Sequence, residues 1–216
     1  MGILLISAAV VSCKKSDTGI DTSNNGTFKV FTEGKVTTVQ NLMADTVLGI
    51  NPMSGQPFGS GKYTFFSLET GSLVANSDSA TNKWDIAFRG TTILTNNGTS
   101  GPGAGGAFVQ VGLFADVLSV STDSIIRTDA APTYAIRTGS NKGWYVYDGP
   151  ANLITPIPGR VLIIRTASGK YAKLEIQNYY KGGVTPAATA SDATKLSEQR
   201  YYTFRYTYQA NGSMTF

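Results

Sequence analysis

The sequence predicts an all-β domain, built either as a sandwich or as a partly open barrel. From Phe28 onward, apolar and polar residues alternate in many short segments, and this period of two is the period of strands. Turn-forming residues separate these segments, and the chain contains 24 glycines. Few windows show the helical period, and the best one runs from Ser191 to Gln199, where Ser191 or Asp192 could cap a short helix. We therefore expect a single antiparallel β-rich domain over residues 28–216 with at most one short helix.

The individual segments predict strands of different kinds. The stretch Gly61–Gly71 carries apolar residues on both faces, which predicts burial on both sides. In Lys83–Arg89, the large apolar residues Trp84, Ile86 and Phe88 alternate with Asp85, Ala87 and Arg89. Thr166-Ala-Ser-Gly169 separates two β-rich runs and predicts a hairpin turn with Gly169 at positive φ. The last long segment, Tyr201–Tyr208, places four aromatic rings on one face, which favours a buried sheet face.

Composition excludes several classes of function. The net charge of +4 is mild, and Lys and Arg form no cluster of the kind that nucleic-acid binding requires. The chain contains no histidine, which excludes a Ser-His-Asp or Cys-His triad and any histidine metal ligand. Its single cysteine excludes an intramolecular disulfide and a cysteine zinc site. No motif singles out an acid–base pair among the 14 carboxylates, so we do not expect an enzyme.

The N-terminal residues have the pattern of a processed leader. Gly2–Ser12 is an apolar and small-residue run that is too short to span a bilayer, which predicts a signal peptide over residues 1–12. The tetrad from Val10 to Cys13 has the pattern of a bacterial lipobox, which predicts lipidation of Cys13. No Lys or Arg precedes the apolar run, so we expect that the true start codon lies upstream or that the gene model is clipped.

The polar segment after Cys13 predicts a tether. Residues 14–27 contain one large apolar residue, Ile20, and cannot bury enough surface to order themselves. Residues 13–27 are therefore interpreted as the lipidated cysteine and a disordered tether to the β domain. The alternative is a buried N-terminal strand with an ordinary cysteine.

The glycine-rich loop Asn96–Gly106 does not have the pattern of a phosphate cradle. A P-loop requires Gly-Lys-Ser/Thr at the start of a helix, and a dinucleotide fingerprint also requires a helix after the glycines. Here the loop contains no lysine, and Phe108–Val111 has the pattern of a strand. We interpret the glycines as positions of positive φ or of close backbone approach.

Four motifs resemble those of a known family. They are Trp84-Asp85, the loop Asn96–Gly106, Gly169–Lys173 and the aromatic ladder Tyr201–Tyr208, within about residues 62–216. Together they resemble the HmuY-like family, which are lipid-anchored all-β proteins of Bacteroidota whose best-known members capture haem at the cell surface. The resemblance implies finger-like hairpins, an outer-membrane location facing outward, and transfer of haem to an outer-membrane receptor for iron acquisition.

The resemblance also implies where the ligand would lie. The first finger would lie within Ser124–Gly143 and the second within Gly143–Ile164, with Tyr147 or Asp148 near the second ligand position. Without histidine, ligation of haem iron would be non-standard, and tyrosinate is a known axial ligand. The candidate residues are Tyr134, Tyr145 and Tyr147 for the iron and Arg127, Arg137 and Lys142 for the propionates; Met53 is the one methionine that folding could bring near a pocket.

Each candidate also has a structural interpretation. Tyr145 and Tyr147 could pack in a core or on a sheet, Asp148 could be a turn residue, and Arg127 and Arg137 could be solvated surface charges. The leading hypothesis is a surface lipoprotein that binds haem or a related porphyrin. The alternative is a binding module of the same fold for a glycan, another small ligand or a partner protein, since aromatic faces bind sugar rings well.

Overall fold

The computed structural model describes residues 27–216. The signal peptide, the lipidation of Cys13 and the tether up to residue 26 lie outside the described residues.

The described chain is built mainly of β-strands. Strands β1 to β14 span, in chain order, Lys29–Glu33, Val36–Met43, Gly49–Ile50, Pro57–Phe58, Thr64–Ser67, Ser72–Val74, Ile86–Arg89, Thr92–Thr95, Gly106–Val111, Tyr145–Asp148, Leu153–Pro156, Arg160–Arg165, Tyr171–Tyr180 and Gln199–Gln209. Short 3₁₀ turns span Asn76–Asp78 and Lys181–Gly183, and helix α1 spans Asp192–Glu198.

The strands form two main sheets and two small ribbons. The larger sheet has six strands in the order β1-β2-β14-β13-β12-β9, and the smaller has four in the order β6-β5-β7-β8. The ribbons are β3-β4 and β10-β11. Every pairing is antiparallel. The prediction of an all-β, antiparallel fold is therefore confirmed.

The central core lies between the two main sheets. Phe66 and Phe88 of the four-stranded sheet pack against Phe204 of the six-stranded sheet, with ring centroids 5.7 Å and 5.5 Å apart. All three side chains have no exposed surface, and Tyr202 and Tyr206 extend the same aromatic row. The aromatic side chains that the sequence places on one face of Tyr201–Tyr208 therefore point into the core between the two sheets.

A second cluster covers the outer face of the six-stranded sheet. In β12, Leu162 and Ile164 face the central core while Val161 and Ile163 face outward into this cluster, as the period of two requires. Lys173 is buried beside it, and its Nζ donates hydrogen bonds to the carbonyl oxygens of Phe114 at 2.8 Å and Val117 at 2.9 Å. Burial lowers the pKa of Lys173. The lysine therefore fastens the loop after β9 to the sheet.

Helix α1 begins where the sequence predicts it. Ser191 is the N-cap, and its Oγ accepts a hydrogen bond from the amide of Thr194 at 3.1 Å. Lys195 on this helix donates from Nζ to the carbonyl of Ala151 at 2.7 Å, which ties the helix to the turn between β10 and β11. In residues 27–216 no helix has the length and apolarity to cross a membrane.

Candidate functional site

The glycine-rich loop is part of the scaffold. Asn96 at the end of β8 donates from Nδ2 to the carbonyls of Thr81 and Trp84, at 2.9 Å and 2.7 Å. Its Oδ1 accepts from the amide of Gly103 at 3.0 Å. A Cβ on Gly105 would lie only 2.7–3.0 Å from backbone atoms of Asn96. The glycines therefore allow the loop to lie directly on Asn96, as the close-approach interpretation predicts.

The segment expected to form the first finger does not form a hairpin. Between Ser124 and Gly143 the chain makes turns and bends, and its pairing is limited to the isolated bridges Ala107↔Arg127 and Ala130↔Thr133. The prediction of a finger in this segment is wrong, because no pair of strands forms there and buried Asp129 ties the segment to the end of β8. Its carboxylate accepts hydrogen bonds from the amides of Thr95 at 2.9 Å and of Ala135 at 2.8 Å.

The second predicted finger is present. Strands β10 and β11 pair from Tyr145↔Pro156 to Asp148↔Leu153. Asp148 lies at the start of its turn, where Oδ1 accepts from the amide of Ala151 at 3.1 Å. That contact is the turn role that the sequence left open for Asp148.

The three candidate tyrosines lie in three different surroundings. Tyr145 is buried in the central core against Trp144, and its hydroxyl oxygen accepts from the amide of Gly139 at 3.0 Å. Tyr147 is 47% exposed on β10, and its hydroxyl bonds to Asn152 Oδ1 at 3.2 Å. Tyr134 packs half-buried on the outer face of the four-stranded sheet. The fold thus does not bring these phenol groups together around one pocket.

The three candidate cations do come together. Arg127, Arg137 and Lys142 line one cleft of about 440 Å³ at the outer edge of β9, here called the basic cleft. The rest of its lining is formed by Phe108, Val109, Asp123, Ser124, Ile125 and Ala135. A volume of this size is typical of small-molecule sites.

The basic cleft combines positive charge with an apolar wall. Three cations face one carboxylate, Asp123, in its lining, and all three cations are exposed to solvent. Ile125 is 78% exposed beside them, although it is a large apolar side chain. Such a lining suits a ligand that carries carboxylates on an otherwise apolar body, because guanidinium groups pair bidentately with carboxylates.

The same cleft is a poor match for coordinated iron. Its lining contains no histidine, cysteine, methionine or tyrosine, the side chains that act as axial ligands of haem. Nowhere in residues 27–216 do three or more Cys, Asp or Glu residues form a group that could hold a metal ion. Met53 lies elsewhere, 96% exposed in the loop between β3 and β4. The residues present therefore fit the carboxylates of a porphyrin but not its iron.

A second cavity, the terminal cleft, lies where the turn between β1 and β2 meets the turn after β14, and sequence reasoning did not identify it. It has a volume of about 530 Å³. Side chains with hydroxyl or amide groups dominate its polar lining: Thr32, Thr37, Thr70, Tyr206, Tyr208, Gln209 and Asn211. Burial raises the pKa of Tyr206 to about 12, so its hydroxyl stays protonated well above neutral pH. The turns that form the cleft, around Gly34, Thr70 and Ala210, lie far apart in sequence, so no local motif could reveal it.

Comparison with known proteins identifies the fold. No family model matches the chain, and no curated protein matches it. Among solved structures, a "putative lipoprotein" from Bacteroides fragilis matches with a TM-score of 0.51 at 15% identity, covering 83% of this chain and 95% of that one. This match shows a shared fold.

Two further solved structures are similar to a lesser degree. One is described as a "putative HmuY-like heme binding protein" from Bacteroides vulgatus, with a TM-score of 0.48 at 14% identity, covering 80% of this chain and 91% of that one. The other is an apo HmuY analog from Tannerella forsythia, with a TM-score of 0.42 at 16% identity, covering 86% and 98%. Both of these structures are described as HmuY-like or as a HmuY analog.

Proposed function

We propose that this protein is a binding module that holds haem or a related porphyrin by its carboxylates in the basic cleft. The observation that carries the proposal is the convergence of Arg127, Arg137 and Lys142 on one cleft with an apolar wall. A porphyrin of this type has two propionates on one edge of a flat apolar ring. The propionates would pair with the cations while the ring covers Val109 and Ile125.

In this proposal the protein recognises the edge of the porphyrin and not the metal. The cleft lining would supply none of the side chains that usually ligate haem iron, so binding would rest on the three cations and the apolar wall. The role is binding and transfer, with no chemical step on the ligand. An outer-membrane receptor would be the recipient, as the family resemblance implies.

The cellular location belongs to the same proposal. Lipidation of Cys13 would attach the mature chain to the outer membrane, and the residues up to 27 would let the β domain reach ligands at the cell surface. The mass of the mature chain tests this point separately, since a lipidated chain begins at Cys13 and carries acyl chains.

A haem titration of the full chain tests the proposed function. We expect a saturable one-to-one absorbance change in the ferric and the ferrous state. Tyr134→Phe and Tyr147→Phe variants are expected to bind haem with unchanged affinity, because neither residue lines the cleft. A spectrum identical to free haem plus protein would contradict the proposal. Loss of binding in the Tyr147→Phe variant would move the site to the β10-β11 ribbon.

A second candidate function rests on the terminal cleft. Its lining is rich in hydroxyl and amide groups beside apolar Val30 and Leu68, and such groups bind the hydroxyls of a saccharide. Binding of the full chain to a saccharide array, lost on Asn211→Ala but retained on Arg137→Ala, would favour this candidate over the porphyrin.

A further inference from the structure

One part of the molecule has no role in the proposed binding site. The ribbon β3-β4 and its connecting loop, residues 46–61, are here called the apolar finger. Three large apolar side chains at its sides are exposed, Leu48 by 68%, Ile50 by 45% and Phe58 by 49%, and Met53 at its tip is 96% exposed. The whole segment from Thr46 to Gly61 contains no charged residue. Solvated loops of soluble proteins are normally polar, so this composition calls for a partner.

The apolar finger is held in shape by its own hydrogen bonds. At the tip, Asn51 Oδ1 accepts from the amides of Met53 at 2.9 Å and Ser54 at 3.2 Å. At the base, Asp45 Oδ1 accepts from Ser60 Oγ at 2.8 Å and from the amide of Gly61 at 3.0 Å. The fold therefore fixes the apolar side chains in an exposed position.

The position of the finger relative to Thr27, the first described residue, indicates what covers it. Strand β1 pairs with β2 so that Lys29 lies opposite Gln40, and Asn41 Nδ2 donates to the carbonyl of Thr27 at 3.1 Å. The described chain thus begins at the end of the six-stranded sheet where β2 ends and the finger starts. Cys13 precedes Thr27 by 14 residues, a span of at most about 50 Å.

The charges around the base of the finger point to the same partner. Lys62 follows the finger directly and is exposed. Lys181 is exposed beside the same sheet end, where the amide of Gly182 donates to Asn41 Oδ1 at 2.7 Å. Asp45 adds one carboxylate at this base, and the guanidinium of Arg200 lies beside it, donating to the carbonyls of Asp45 at 2.8 Å and Pro57 at 3.5 Å. An uncharged finger with exposed apolar side chains and an excess of cations at its base matches the profile of a membrane interface, where acyl chains lie below anionic headgroups.

We propose that the apolar finger docks onto a phospholipid bilayer and orients the domain on the membrane. This rests on the proposed attachment of the chain at Cys13, which would hold this end of the sheet near the bilayer. Met53 and its apolar neighbours enter the interface, and Lys62 and Lys181 face the headgroups. The basic cleft lies along β9, at the opposite edge of the six-stranded sheet from β1, and stays open to solvent.

Vesicle sedimentation of the chain from residue 13 onward, carrying Cys13→Ser, tests this inference. This chain lacks both the apolar leader of residues 1–12 and any lipid on residue 13, and vesicles of phosphatidylethanolamine and phosphatidylglycerol are the probe. We expect this chain to bind, and the further change Met53→Asp to weaken binding by at least about tenfold, because it places a charge among the acyl chains. The matched control is Leu73→Asp on β6, a site that is 48% exposed, which should change binding less than about twofold.

Three results would overturn the inference. They are failure of the Cys13→Ser chain to bind vesicles, equal binding by the Met53→Asp chain, and a dimer in solution that Met53→Asp abolishes, which would assign the finger to a second copy. Haem titration of the Met53→Asp chain separates this test from the proposed function, since Met53 lies outside the basic cleft. If Met53→Asp abolishes vesicle binding and leaves haem affinity unchanged, the finger binds the membrane independently of the haem site.

Discussion

Replacing Asp85 with alanine is expected to lower the free energy of unfolding by about 3 kcal/mol. Asp85 is 5% exposed at the start of β7. Its Oδ2 accepts from the amide of Leu68 at 2.8 Å, and its Oδ1 accepts from the amide of Ala167 at 2.9 Å. One carboxylate therefore joins the turn after β5 in one sheet to the turn after β12 in the other.

The size of this effect follows from the two backbone amides that alanine would leave without a hydrogen-bond acceptor. Leu68 and Ala167 are buried, so each amide would lose its acceptor without gaining water, at a cost of about 1–3 kcal/mol each. Burial raises the pKa of Asp85, although the hydrogen bonds from Ala167 and Leu68 act in the opposite direction. The buried carboxylate is therefore itself costly to desolvate, and its removal offsets part of the loss from the two unpaired amides.

Urea denaturation of the full chain measures the change. Asp116→Ala, at an exposed site in the loop after β9, is the control and should stay within about 0.5 kcal/mol of the parent chain. An Asp85→Ala chain as stable as the parent would show that the carboxylate does not connect the two sheets.

Removing both arginines of the basic cleft is expected to weaken porphyrin binding by about tenfold. Each exposed ion pair contributes roughly 0.5–1 kcal/mol, and Arg127 and Arg137 together would supply two of the three cations that face the propionates. The affinity of the parent chain should also fall as salt is raised, because exposed charges are screened.

The measurement is a haem titration of the Arg127→Ala, Arg137→Ala double variant at two ionic strengths. Arg89→Ala is the matched control, because Arg89 is exposed but lies over the ring of Tyr63 at 4.3 Å, outside the cleft. Equal haem affinity in the double variant and the parent chain would show that the basic cleft does not bind the porphyrin.

The sequence correctly predicted the elements that depend on residues close together in the chain. The Ser191 cap, the turn with Gly169 at a φ of 81° and the aromatic face of Tyr201–Tyr208 all depend on residues close in sequence, and all are present. The ribbon β3-β4 was missed because two strands of two residues each are too short to show any period.

Long-range contacts explain the rest of the difference between prediction and structure. Asp85 bonds to an amide 82 residues away and Asp129 to one 34 residues away, so neither role is visible in a local pattern. Without knowledge of Asp129, the segment Ser124–Gly143 was expected to project as a finger. Its cations Arg127, Arg137 and Lys142 nevertheless share one cleft, because the same anchored segment carries all three.

A side-by-side titration of the full chain with haem and with iron-free protoporphyrin separates recognition of the porphyrin edge from coordination of the metal. In the proposed mode the protein recognises the carboxylates and does not coordinate the metal. We therefore predict saturable one-to-one binding of both ligands with affinities that agree within about threefold. Tight binding of haem together with weak or absent binding of the iron-free ligand would contradict this account and require an iron ligand outside the basic cleft.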